Sequence, residues 1–312
     1  MKKFLKISLI NLFILFFAIL SIELFFEAKS IWDGRIFISP QERAKRPVLK
    51  YINNLRITVQ ERFFNKVKDE YTIYSFREVQ GTQYENKPAI IQLGCSYTFG
   101  ASLEDKDTFA AVLSKQAHRK VYNWGIFGGG VREALHILRD KELIKNLVSN
   151  TDNIEYVIYT YIPDHRYRIY FNQHSNVPVF RKINNEFKEI KTNKFIENSS
   201  IKFLFDTYKI QKLSSEKMWN DFCDYIQAIK KEIHNDFKYK NKPVKFVIFV
   251  YNNNDEDNWK QLEDKNTTVV RLDDIVKIDT QNVPYILWEG EHHPSAYAWQ
   301  VIVPQFMKKL KI

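Results

Sequence analysis

Between residues 88 and 272 the chain alternates two kinds of segment, and this alternation limits its fold more than any other feature. Short runs of mostly apolar residues lie at 89–93, 121–124, 156–161 and 244–251, the last reading Val-Lys-Phe-Val-Ile-Phe-Val-Tyr, with a weaker fifth at 268–272. Runs this short, rich in β-branched and aromatic residues, read as strands buried on both faces. Stretches 108–116, 131–147 and 218–233 separate them, with apolar positions three or four apart, as amphipathic helices require. In the last of these Met218, Phe222, Ile226, Ile229 and Ile233 share one face, and Ser214 or Ser215 can cap its start. Strands alternating with helices predict an α/β fold, a parallel sheet covered on both faces. Segment 166–212 is polar and rich in Asn and Lys, and reads as an insertion over one end of the sheet.

The N-terminus carries a second constraint. Met1-Lys2-Lys3-Phe4-Leu5-Lys6 is basic, and 7–22 then runs without a charge. Counted from Phe4, the apolar stretch is about the ~20 residues needed to span a hydrocarbon core. Cleavage of a signal peptide requires small residues before the cut, and two residues before Ala28, the nearby candidate, stands the bulky Phe26. Residues 1–26 are therefore expected to be a cytoplasmic stub and an uncleaved transmembrane anchor, with the remaining chain on the outer, periplasmic or extracellular side. Residues 27–85 read as a juxtamembrane helical or linker segment, and 86–312 as the folded domain.

Charge excludes one class of partner. The formal net charge is +10, but the 47 Lys and Arg residues are scattered and usually sit beside Asp or Glu, as in 181–194. Without a basic run, zinc pattern or aromatic strand motif, nucleic-acid binding is not expected. A basic surface is compatible with anionic lipids or acidic glycans. Two cysteines, Cys95 and Cys223, do not make a disulfide framework.

Four places carry possible chemistry. Gly94-Cys95-Ser96-Tyr97-Thr98-Phe99-Gly100 follows the first strand, so Ser96 stands where a turn opens a helix and faces the crevice beyond the sheet. Backbone N–H groups at such a helix start suit an oxyanion; the same serine could instead simply cap the helix. Cys95 is a rival nucleophile. Val121-Tyr122-Asn123-Trp124-Gly125-Ile126-Phe127-Gly128-Gly129-Gly130 ends the second strand in glycines that can aim N–H donors at a bound group. It is no phosphate loop, because no Gly-Lys-Ser/Thr follows; otherwise it is a tight turn. Pro163-Asp164-His165-Arg166 ends the third strand, where Asp164 either serves the site or pairs with a nearby arginine. Near the C-terminus, Glu289-Gly290-Glu291-His292-His293-Pro294-Ser295 places imidazoles beside carboxylates. A nucleophilic serine needs an imidazole to take its proton and a carboxylate to orient that imidazole. A metal site is the competing reading, but no third cluster completes a shell. The other histidines, His118, His136, His174 and His234, lie on polar or amphipathic stretches.

The first segment, followed by Asp107-Thr108-Phe109, resembles the first block of the SGNH/GDSL hydrolase family, usually G-D-S-[FY]-T-x-G, with Cys95 replacing Asp. The glycine segment is similar to the second block, and the C-terminal segment to the last, a carboxylate–histidine pair followed by Pro and Ser. The resemblance covers about 86–312 and implies a flavodoxin-like three-layer α/β/α sandwich. It implies a serine-dependent esterase or acyltransferase, with no cofactor and no metal. Carried over residue by residue, Ser96 is the nucleophile, His293 the base and Glu291 its orienter; the other registration pairs His292 with Glu289. The oxyanion hole falls to the N–H groups of Ser96 and Gly128, with Gly125 second. The third block, G-x-N-D, departs most: Pro163 offers no donor, leaving His165, Arg166 or Arg168 to replace the missing asparagine. The substrate implied is an acylated, chiefly acetylated, envelope or extracellular glycan or another ester. The alternatives are a sugar O-acetyltransferase on the same scaffold, or a degenerate glycan-binding protein for which Cys95 and Pro163 speak.

Overall fold

The computed structural model describes residues 76, 77, 79, 84, 87–101, 103–170, 179–184, 186–190, 212–251, 258–276 and 293–312. The chain divides into two compact units. One comprises 1–72, 171–175 and 191–212, of which Lys212 alone is described. The other holds the sheet and every element named below. The expected anchor over 1–26 lies outside the described residues. Among those described, no helix is long and apolar enough to cross a membrane.

The strands are β1 (Ala89–Gly94), β2 (Val121–Gly125), β3 (Ile154–Tyr161), β4 (Val179–Ile183), β5 (Glu186–Ile190), β6 (Lys238–Tyr239), β7 (Lys242–Pro243), β8 (Lys245–Val250) and β9 (Thr267–Arg271). The helices are α1 (Ser96–Phe99), α2 (Phe109–Ala117), α3 (Val131–Arg139), α4 (Lys141–Leu147), α5 (Asp164–Arg168), α6 (Ser215–Asp236), α7 (Leu272–Ile275) and α8 (Ala296–Leu310). The central sheet has five strands in the order β2-β1-β3-β8-β9, every pair parallel. Numbered within the sheet this is 2-1-3-4-5, the flavodoxin-like doubly wound order, with its switch point between β1 and β3.

Helices cover both faces of the sheet, and its strands are accordingly mostly apolar. Ala89, Ile91 and Leu93 of β1, with Val157, Tyr159 and Tyr161 of β3, pack against α3, α4 and α6. Ile90 of β1, Tyr156 and Ile158 of β3, and Val247 and Phe249 of β8 face α2 and α8 on the other side. Consecutive strand residues thus feed opposite cores, and the helices form two outer layers. The expected apolar face of α6 is buried from Met218 to Ile233, and Ser214 caps the helix by accepting from Lys217 N at 3.1 Å.

One expected helix is two. The stretch 131–147 breaks at Asp140, whose φ and ψ are −81° and 86° and whose carboxylate accepts from Leu143 N at 2.9 Å. Aspartate offers the backbone a local partner and starts a new helix there. Within 166–212, the described hairpin β4–β5 lies along the helix layer. Phe180 joins the core beneath it, Tyr225 Oη donates to Phe180 O at 3.0 Å, and Arg139 Nη1 donates to Phe187 O at 2.8 Å.

Phe222 sits in the middle of the α6 face, fully buried between Trp219, Tyr161 and Trp259. Truncation there removes a ring and leaves a cavity. Phe222→Ala is expected to lower the unfolding free energy by about 3–5 kcal/mol, read as a lower urea midpoint at unchanged slope.

Candidate active site

The turn after β1 is built around a backbone that tolerates no side chain. Gly94 has φ +151°, and a Cβ there would lie 2.2 Å from Thr98 Oγ1 and 3.1 Å from Thr160 O. Cys95 follows in extended conformation and Ser96 is the first residue of α1, so Ser96 does not cap the helix through its side chain. Gly100, at φ 80°, ends the helix after a single turn. The side chain of Cys95 is fully buried, which removes it as an accessible nucleophile.

His293 arrives from the far end of the chain. It lies just before Ser295, which caps α8 by accepting from Ala298 N at 3.1 Å, so the packing of α8 on the sheet carries His293 to the crevice. His293 Nε2 is 2.8 Å from Ser96 Oγ, across 197 positions of sequence. The Tyr97 ring packs on the imidazole with centroids 4.9 Å apart, and is backed by Tyr251 at 5.1 Å. Burial holds the Tyr97 phenol protonated, well above its ordinary range. Glu291, Glu289 and His292 lie outside the described residues.

The glycine segment after β2 lies alongside, since Gly94 and Gly125 are register partners. A Cβ on Gly125 would come within 2.3 Å of Phe99 N, so this glycine lets α1 pack backbone to backbone on the strand end. Its N–H already donates to Asn123 Oδ1 at 3.1 Å, which corrects its assignment as an oxyanion donor. Ile126 N donates to Gly94 O, Gly129 N to Ile126 O, and Gly130 N to Glu133 Oε2. Gly128, at φ +74°, is different: among the described residues its N–H has no hydrogen-bond partner.

The turn after β3 departs from expectation. His165 is fully buried and its Nδ1 is 2.6 Å from Tyr159 Oη. Burial pushes the imidazole well below its usual value and the phenol well above. Both are therefore neutral, and the fully buried His165 ring is committed through Nδ1 to Tyr159. Asp164 is 68% exposed and takes the bland role, 3.5 Å from Arg168 Nη2. Arg166 lies over the Trp219 ring. Arg168 reaches the glycine segment instead, donating from Nη1 to Gly129 O at 2.7 Å.

From sequence, Arg77 in the element ahead of the first block reads only as a possible substrate contact; the structure gives it another part. It bridges to Asn123 and clamps the loop after α1, donating to Gly100 O at 2.6 Å, to Leu103 O at 2.5 Å and to Asp105 Oδ1 at 2.5 Å. A lone arginine ahead of the first block carried no local signal for this contact. The arrangement as a whole joins a hydroxyl to an imidazole at the carboxyl end of β1, beside a glycine loop with an open amide.

His165 gives the domain a built-in acid sensitivity. The folded imidazole stays neutral, whereas the unfolded one titrates near ~6.5, so below that pH the unfolded chain binds more protons and stability falls with pH. Between pH 6.5 and 5, His165→Gln should flatten this fall by up to about 1.4 kcal/mol per pH unit. Urea unfolding of both proteins at pH 7.5, 6.5 and 5 measures it; parallel curves would contradict it.

No protein-family model matches the chain, and no curated protein matches it. Among solved structures it is similar to a protein described as lipolytic and of the G-D-S-L family from Desulfitobacterium hafniense, at 12% identity over 71% of this chain and 99% of that one, TM-score 0.43. It is similar to the lipase Lip_vut3 from a goat rumen metagenome, at 12% identity over 70% and 96%, TM-score 0.42. It is also similar to the acetyl xylan esterase Est2A from Butyrivibrio proteoclasticus, at 11% identity over 73% and 64%, TM-score 0.39.

Proposed function

We propose that the chain is a serine-dependent ester hydrolase of the SGNH/GDSL type, acting on an acetyl or other acyl ester of an envelope or extracellular glycan. The observation that carries the reading is the 2.8 Å contact between Ser96 Oγ and His293 Nε2. With its proton on Nδ1, the imidazole accepts the serine hydroxyl through Nε2 and can withdraw that proton as Oγ attacks an ester carbonyl. Glu291 is the carboxylate assigned to hold that tautomer.

In the tetrahedral intermediate the former carbonyl oxygen carries the charge, and the N–H groups of Ser96 and Gly128 are its donors. Each such donor is worth about 3–4 kcal/mol of transition-state stabilisation. Collapse expels the sugar alkoxide, which takes the proton from His293 and leaves an acyl-enzyme on Ser96. Water then repeats the cycle in reverse, with His293 again as base, and releases the acid. A neutral, half-buried Tyr97 against the imidazole helps keep bulk water from one side of the ring. The basic surface and an outward-facing domain on an anchor over 1–26 favour a glycan of the cell envelope as substrate. The degenerate-scaffold reading is disfavoured because Ser96 and His293 keep hydrogen-bonding distance.

Ser96→Ala should abolish labelling by a fluorophosphonate probe and cut turnover of p-nitrophenyl acetate by about 10³-fold or more. Labelling that persists in the variant, or a folded wild-type domain inert to both reagents, would overturn the assignment.

A further inference from the structure

We propose that Arg168 is a positioning residue for the oxyanion site: its guanidinium holds the glycine loop that presents the Gly128 N–H. The inference rests on the hydrolase reading and adds a residue to it. The turn after β3 supplies no asparagine donor: Pro163 lacks an N–H, and the buried ring of His165 commits its Nδ1 to Tyr159. What the turn does offer is the Nη1 donor to Gly129 O, at 2.7 Å.

The place of that bond is what gives it weight. Gly129 C=O and Gly130 N–H belong to one peptide plane. The carbonyl is held by Arg168, and the N–H donates to Glu133 Oε2 at 2.8 Å. Glu133 is in turn paired with Arg132 at 3.0 Å, both side chains almost completely buried. A plane gripped by a cation at one end and an anion at the other cannot rotate. Three successive glycines would otherwise sample many conformations; the intervening Gly128–Gly129 plane is held by Gly129 N donating to Ile126 O at 2.8 Å, and the amide of Gly128, one plane further back, is the one that stays open. The other ion pair of Arg168, to the exposed Asp164 at 3.5 Å, is long and leaves the guanidinium committed to the loop. The side chain is only 14% exposed, so its hydrogen bond competes little with water.

The test uses Arg168→Ala, with Arg168→Lys as a milder variant should the first not fold. Turnover of p-nitrophenyl acetate should fall about 10–100-fold in kcat for Arg168→Ala, with KM changed less than about twofold, because an oxyanion donor displaced by a fraction of an ångström weakens the transition state and spares substrate binding. An aryl boronic acid, which forms a tetrahedral adduct on the serine, should lose affinity in parallel with kcat. Millimolar guanidinium chloride, against potassium chloride at equal ionic strength, should restore part of the activity of Arg168→Ala. Wild-type kcat in the variants, a loss confined to KM, or unchanged boronate affinity would overturn the proposal while leaving the Ser96 assignment standing. A wild-type protein inert towards the fluorophosphonate probe and the ester would remove the hydrolase reading and this inference with it.

Discussion

The contact between Ser96 and His293 is the constraint on which the rest of the site depends, and it joins two segments 197 positions apart in sequence. Ser96 is set by the end of β1, where Gly94 turns the chain so sharply that any side chain would strike Thr98. His293 is set by α8, which covers the opposite layer through Ala298, Trp299, Ile302, Val303 and Phe306. A doubly wound parallel sheet opens a crevice at the carboxyl ends of its strands, at the switch point between β1 and β3. The two segments meet there because α8 packs on the same face as α2 and its capping turn ends at that rim.

Around this contact the chain uses backbone approach and buried charge in place of the side-chain donors expected of such a site. Gly125 lets the α1 backbone lie directly on the end of β2. Arg77 and Arg168 each commit their guanidinium groups to main-chain carbonyls, one after α1 and one in the glycine loop. A mostly buried cation is costly unless hydrogen-bonded, and each arginine finds main-chain carbonyl partners in a loop that has no regular structure of its own. The neutral Tyr159–His165 pair fills the space behind the third turn without adding charge. These polar atoms are taken up in scaffolding, whereas the Gly128 amide has no partner among the described residues and Ser96 meets His293.

Much of the fold was legible because periodicity reports burial directly. The five strand runs match β1, β2, β3, β8 and β9 to within a residue or two at each end, and α6 was readable from its apolar face and its capping serine. The split at Asp140 was missed because the apolar spacing continues through it while a single cap overrides it. At the site, the order of serine, glycine loop, polar turn and histidine along the chain nominated residues that the fold does bring to one rim. Gly125 and His165 went astray for a shared reason: a candidate donor is judged by what it already bonds, and Asn123 and Tyr159 were partners that spacing cannot reveal.

By itself, then, the sequence determined the class of fold, the strands and most helices, and which hydroxyl and imidazole groups were candidates to meet, since these follow from local pattern and residue type. Only tertiary structure decided which amide of the glycine loop remains open, that Cys95 and His165 are sealed away, and that Arg77 and Arg168 serve as clamps. Those outcomes depend on how residues distant in sequence compete for the same hydrogen-bonding groups once the helices have closed over the sheet, a competition that no single segment contains.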